Sequence, residues 1–187
     1  MSLPAATRFL RALDADGQLD TRFGDVRISR PLDLLQQWRD RMGNPTRREV
    51  SATSVRGAFN LDNMLGKSRE AMRAGERPPL VLGLHAACAA LGLGHVSGAV
   101  PVLWTPSLDA QRLEELGLIV SQAGQRVDVV LRVPRYPESL FRGIVHPQLR
   151  PVTDVVQCWL DTSHSRIRGQ EQADFIWRNV LKPAFSS

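Results

Sequence analysis

Lysine is almost missing from this chain. Of 24 basic side chains only Lys67 and Lys182 are lysines, and the rest are arginine. That shortage removes the residue that a Gly-rich phosphate loop needs in register. Cysteine is scarce too: Cys88 and Cys158 each sit in an apolar helical pattern and read as buried reduced thiols, not as a disulfide framework. The longest apolar stretch, Pro78–Val102, is broken by His85, His95, Ser97 and several glycines and prolines, which excludes a membrane helix. No basic start leads into an apolar core and a small-residue cleavage site, so we expect a cytoplasmic protein without a signal peptide. The four histidines, His85, His95, His146 and His164, have no i, i+4 pairing, so neither a metal nor a cofactor is expected. No serine or cysteine stands in a Gly-x-Ser-x-Gly elbow, which argues against a nucleophilic hydrolase.

What the chain has is an ordinary globular composition and a basic balance. Its 187 residues are 43% hydrophobic and 23% charged, with a net charge of +5. Residues 1–77 carry 14 basic and 10 acidic side chains, against 10 and 9 in residues 78–187. The excess therefore lies toward the N-terminus, where phosphate contacts would use it.

The first forty residues read like the back half of a DNA-binding head. Pro4–Gly17 has helical spacing, with Phe9, Leu10 and Leu13 on one face, Arg8 and Arg11 away from it, and Gly17 as a stop signal. Gln18–Ser29 then reads as two short strands around a Gly24-Asp25 turn, and Pro31 opens a helix to Met42. Helix, basic hairpin, helix is the order of a recognition helix followed by the wing of a winged helix-turn-helix. The two helices that such a head places upstream are not in this sequence, so we expect the head to be partial. In this reading Arg8 and Arg11 face the DNA groove, while Arg22 and Arg27 on the wing touch phosphates.

Beyond the break at Gly43-Asn44-Pro45, helical and strand patterns alternate. Thr46–Val55 is mostly polar, with Val50 and Val55 as strand signals, and Leu61–Ala74 has a weak helical pattern. Leu80–Gly83 leads into an alanine-rich helix, Leu84–Leu91, whose small residues predict a buried position. Val100–Trp104 reads as a buried strand, and Pro106 and Asp109 start a helix capped by Gly117. Leu118–Val120 and Arg126–Val133 read as strands, with Ala123-Gly124-Gln125 as the turn between them. Helices are predicted over Val152–Asp161 and Gln170–Leu181, separated by a polar loop. The fold class expected is α+β (mixed α/β): a partial winged helix-turn-helix over 1–42, then an α/β domain over 45–187.

In that order, the chain resembles the AbiEi family of bacterial transcriptional regulators, the antitoxins of type IV toxin–antitoxin and abortive-infection systems. Three segments carry the likeness: Arg27–Trp38 (RISRPLDLLQQW), Leu82–Ala87 (LGLHAA), and Val152–Asp161 (VTDVVQCWLD) followed by Arg168–Ala173 (RGQEQA). They are similar to the family's wing and Leu-Leu-x-x-Trp helix, its L-T-G-x-x-A-A helix start, and its P-V-Q-x-Y-x-D-L helix with R-G-x-E-x-A. His85 and Trp159 depart from the pattern, which has a small residue and a tyrosine or leucine there. The resemblance implies a regulator that binds duplex DNA at the operator of its own operon. It implies an antitoxin-like C-terminal domain, an indirect link to a nucleotidyltransferase-type toxin, and no enzyme.

Other readings are weighed on particular residues. Arg168 stands between Asp161 and Glu171, so it could clamp two helices; the competing reading is a ligand or partner site. Gly92–Gly98 follows a helix and has no lysine, so it reads as a helix cap and turn instead of a nucleotide loop. A degenerate nuclease-like domain would place Asp128 at its centre, yet no lysine follows until Lys182. A protein-interaction domain without DNA contact is the third reading. Trp38, Trp104, Trp159 and Trp177 lie in apolar patterns and read as core residues rather than stacking platforms.

Overall fold

The computed structural model describes residues 3–20, 25–55 and 57–186. The first helix, α1 (Leu3–Ala15), ends where the sequence places its stop: Gly17 takes a φ of 65°, and Gln18 N–H returns to the carbonyl of Leu13 at 2.8 Å. β1 (Leu19–Asp20) pairs antiparallel with β2 (Arg27–Ile28), and α2 (Pro31–Met42) begins on a proline, as first helical turns tolerate. Helix, two-stranded hairpin, helix is thus the order the chain adopts. Residues 21–24, which include Arg22 and the Gly24 half of the expected turn, lie outside the described residues. The hairpin is tied to the last turn of α1, with Ser29 N–H donating to Gln18 O at 2.8 Å. Only Leu13 of the expected apolar face is therefore covered; Phe9 and Leu10 are exposed.

The chain forms two compact units, 1–43 with 180–187, and 44–179. The tail differs from a single 45–187 domain because its short helix α10 (Lys182–Phe185) packs with α2.

The larger unit is built on a seven-stranded mixed sheet, so the α+β class holds. Its strands are β3 (Thr46–Ser54), β4 (Val81–Gly83), β5 (Val102–Trp104), β6 (Leu118–Val120), β7 (Val129–Pro134), β8 (Ile144–Val145) and β9 (Val152–Thr153). The order is β6-β3-β7-β5-β4-β9-β8. β3 pairs antiparallel with both β6 and β7, so the expected turn at Ala123–Gln125 does not join two paired strands: β3 lies between them. The β7–β5 and β4–β9 pairs are parallel.

Helices α3 (Leu61–Met64) and α4 (Gly66–Arg73) divide at the buried Leu65 what the sequence suggested as one helix. α5 (Leu84–Ala90) follows β4 without a loop and packs on β4, β5, β9 and α8 (Val155–Ser163). α6 (Ala110–Glu115) is capped by Asp109, and α7 (Pro137–Arg142) places Leu140 and Phe141 against Val81 and Trp104. Val152–Thr153 is strand instead of helix, because Asp154 caps α8 by accepting Gln157 N–H at 2.8 Å and so moves the helix start past it. α9 (Gly169–Ile176) ends in a wider turn over Trp177–Leu181. Trp177 stacks on Trp159 of α8, with ring centroids 5.2 Å apart.

Trp104, Trp159, Leu82, Leu103, Val129, Leu131 and Val152 are fully or almost fully buried at the centre of this unit. Trp38 departs from the core reading of the tryptophans, being exposed. Among the described residues no helix is long and apolar enough to cross a membrane.

Gly83 closes the junction between β4 and α5. A Cβ there would enter the space held by the Trp104 indole, and the next residue, Leu84, already takes a φ of 46°. Gly83→Ala should therefore cost about 1–3 kcal/mol through overpacking, read from urea unfolding. A variant as stable as the parent would mean that the indole can move aside.

Candidate functional sites

The arginines of the small unit come first. Arg8 and Arg11 stand one helical turn apart on α1, both exposed. Among the described residues no carboxylate lies within ion-pair reach of either. Arg27 on β2 approaches Asp25 at 3.4 Å, with both side chains about 70% exposed (69% and 72%), so solvent screens the pair. Arg30 reaches toward Gly17 O at 3.5 Å and Asp33 at 3.9 Å. Arg22 lies outside the described residues. Residues 1–43 carry seven arginines against six aspartates. The basic excess of residues 1–77 belongs mainly to 44–77, where seven basic side chains face four acidic ones.

The Arg168 cluster is arranged differently from the expected clamp. Arg168 takes a left-handed φ of 49° just before α9. Its Nε and Nη2 donate to the two carboxylate oxygens of Glu171, each at 2.9 Å. His95 Nε2 meets the same carboxylate at 3.3 Å, and the His95 ring stacks on Phe175 at 5.0 Å. The hydrogen bonds from Arg168 hold the Glu171 carboxyl below its ordinary range. Asp161 takes no part in this cluster. Its carboxylate points into the core, accepting from Trp104 Nε1 at 3.2 Å and Gln157 Nε2 at 2.7 Å. Sequence spacing placed Asp161 beside Arg168, but it lies on the buried side of α8, whereas Arg168 is exposed.

The link between α8 and α9 is made by other groups. His85 Nε2 bonds Ile167 O at 3.0 Å, and Ser165 N–H donates to Thr162 O at 3.0 Å. Gly169 packs so closely on Thr162 that no side chain fits there. Sequence reasoning missed Gln172, which is fully buried. Its Oε1 accepts from His95 N–H at 2.9 Å and Val96 N–H at 3.2 Å, and its Nε2 donates to Leu93 O at 2.8 Å. The start of the Gly92–Gly98 loop is the helix cap expected: Gly92 has a φ of 74°, and Leu93 N–H returns to Cys88 O at 2.8 Å.

Asp128, the residue a nuclease reading would use, ties β7 to β3. It accepts from Thr53 Oγ1 at 2.8 Å, Ser54 N–H at 3.0 Å and Arg126 Nε at 2.6 Å. The backbone bond from Ser54 and then the Thr53 hydroxyl hold its carboxyl below the ordinary range. Cys88 and Cys158 are free and buried, and the neighbouring thiol and burial raise the Cys158 thiol. Among the described residues no three His, Cys, Asp or Glu side chains converge as a metal site would require.

Set beside known proteins, the chain matches no family model, no curated protein and no solved structure.

Burial raises the Asp161 carboxyl from 3.8 to about 7, against the opposing effects of Gln157, Arg132 and Trp104. Between those two values the unfolded chain has released a proton that the folded chain still holds, so stability falls as pH rises. The loss is complete above pH 7 or so and is on the order of 4 kcal/mol. Urea unfolding at several pH values should show this slope in the parent and a flatter one in Asp161→Asn. Parallel slopes would mean that Asp161 does not titrate in this window.

Arg168 and Glu171 face solvent, so Arg168→Ala and Glu171→Ala should each cost less than about 1 kcal/mol in thermal melts. A larger loss would restore the idea of a clamp holding α8 to α9.

Proposed function

We propose that this chain is a DNA-binding transcriptional regulator that acts as the antitoxin of a type IV toxin–antitoxin system of the AbiEi kind. The observation that carries the proposal is the small unit's helix–hairpin–helix order, with Arg8 and Arg11 exposed on the helix, meeting no carboxylate among the described residues, and Arg27 on the second strand. That is a partial winged helix in which α1 serves as recognition helix and β1–β2 as the wing. The order of the three family-like segments along the chain supports the antitoxin assignment. The partner is duplex DNA at the operator of its own operon, in the cytoplasm, and the link to a nucleotidyltransferase-type toxin is indirect.

The chain is not an enzyme in this reading. Asp128 supports that view, since both its carboxylate oxygens are engaged in holding β3, β7 and Arg126 together.

The test is a DNA-binding titration of the full-length protein against its own upstream region and an unrelated duplex, over a salt series. Arg22→Ala with Arg27→Ala should weaken binding to both duplexes and flatten the log–log salt slope by roughly one to two units. Arg8→Ala with Arg11→Ala should narrow the preference for the cognate duplex by about tenfold or more. If the parent binds no duplex at low salt, or if all variants keep its affinity and slope, the regulator reading falls.

A further inference from the structure

The seven-stranded sheet ends in a short strand on each side, and only one of the two is followed at once by a proline. At one end β8 is two residues long and runs through His146 into Pro147, which has no N–H to offer an added strand. At the other end lies β6. The run Gly117–Gln122 holds no charge and no proline. Ser121 N–H donates to Ser51 O at 2.9 Å, and Val55 N–H donates to Gly117 O at 3.0 Å. The alternation of an antiparallel pair therefore directs the backbone groups of Gly117, Ile119 and Ser121 toward β3, and those of Leu118 and Val120 outward. Ile119, Val120 and Val55 are each more than half exposed, at 52%, 54% and 54%. Along this edge runs an open trough of about 410 Å³ between β6 and α6, lined by Ala110, Leu113, Glu114, Leu118 and Val120 among others.

We propose that this edge takes an extended segment of another polypeptide as an added strand, with a lysine or arginine of that segment facing Glu114. The outward N–H and C=O groups of Leu118 and Val120 call for a strand, because only an extended backbone meets them at the right spacing. The apolar lining takes alternate side chains of the incoming strand. Charge selects the occupant. Among the described residues Glu114 is the trough's one charged lining residue and no cation pairs with it; Arg112 nearby is taken up by Glu115 and Pro79 O. A second copy of this chain is the poorer occupant, because its own edge segment, Gly117–Gln122, carries no cation to meet Glu114. The inference concerns the larger unit and does not depend on the DNA-binding proposal.

The experiment uses the full chain, isotope-labelled, and three short end-capped peptides: Val-Thr-Lys-Thr-Val-Thr, which puts lysine and both valines on one face, its Glu-for-Lys counterpart, and a form N-methylated on alternate residues. Amide shifts and hydrogen exchange at Leu118 and Val120 are the readout. The lysine peptide should bind saturably and slow exchange at both amides. The N-methylated form should bind about tenfold more weakly, since it lacks the ladder donors. The Glu peptide should be weaker than the lysine peptide by about threefold, and Glu114→Lys should reverse that order. Val120→Pro removes an outward N–H without removing a β3 bond, so it should abolish binding while leaving the melting temperature near the parent's. Should that variant fail to fold, the Glu114→Lys reversal decides alone. The proposal is overturned if no peptide moves these amides, if parent and Glu114→Lys treat both charges alike, or if the protein alone protects them in a concentration-dependent way.

Discussion

The larger unit hangs on the indole of Trp104. The ring is fully buried on β5 with β4 and β7 as neighbours, and it meets Val81, Leu140 and Phe141. A buried indole N–H needs an acceptor, and none is free in the middle of a sheet whose backbone is already paired. Asp161 supplies it from α8, which forces a carboxylate into the core and draws in Gln157 to satisfy its other oxygen. On the β7 side the Arg132 guanidinium lies 5.9 Å from the ring centre while its Nε bonds Glu49 at 2.6 Å. One aromatic side chain thus sets the glycine at 83, the acid at 161 and the arginine at 132.

Much of the architecture was legible because it follows local rules. The cap at Asp109, the stop at Gly17, the Pro31 helix start and the alanine-rich α5 all report on their own neighbourhoods. What the sequence hid depends on partners far away. β3 reads as polar because only Ala52 of its nine side chains is buried; the strand is held by backbone pairing on both sides, which leaves no mark on the residue pattern. The β6–β7 segment looks like a hairpin because a turn sits between the two runs, and turn residues do not say whether a third strand intervenes. Asp161, Arg168 and Glu171 are close in sequence, yet helix rotation sends the first inward and the others out. Gln172 carried no pattern signal, since a glutamine in the first turns of a helix resembles any surface residue.

The small unit shows the limits of size. Its buried apolar side chains among the described residues are Leu13, Leu35 and Leu181, while Phe9, Leu10, Val26, Ile28, Trp38 and Phe185 stay exposed. A segment of this length buries a small fraction of its surface, so the hydrophobic contribution per residue is low. Backbone ties such as Ser29 to Gln18, and the Ser29 hydroxyl to Gly17 O at 3.1 Å, do more to define its shape than packing does.

The double-sided pairing of β3 also bears on how the chain is made. Residues 46–54 leave the ribosome early, but their partners are Leu118–Val120 and Val129–Pro134. During synthesis β3 must wait for more than half of the remaining chain, with every backbone group of a nine-residue strand unpaired. Long waits of that kind expose a nascent chain to wrong pairings and aggregation. The composition TRREVSATS suits the delay: three charges and four hydroxyl-bearing residues keep the segment hydrated until β7 arrives. The polarity that disguises β3 as a strand is also what lets it remain alone without harm.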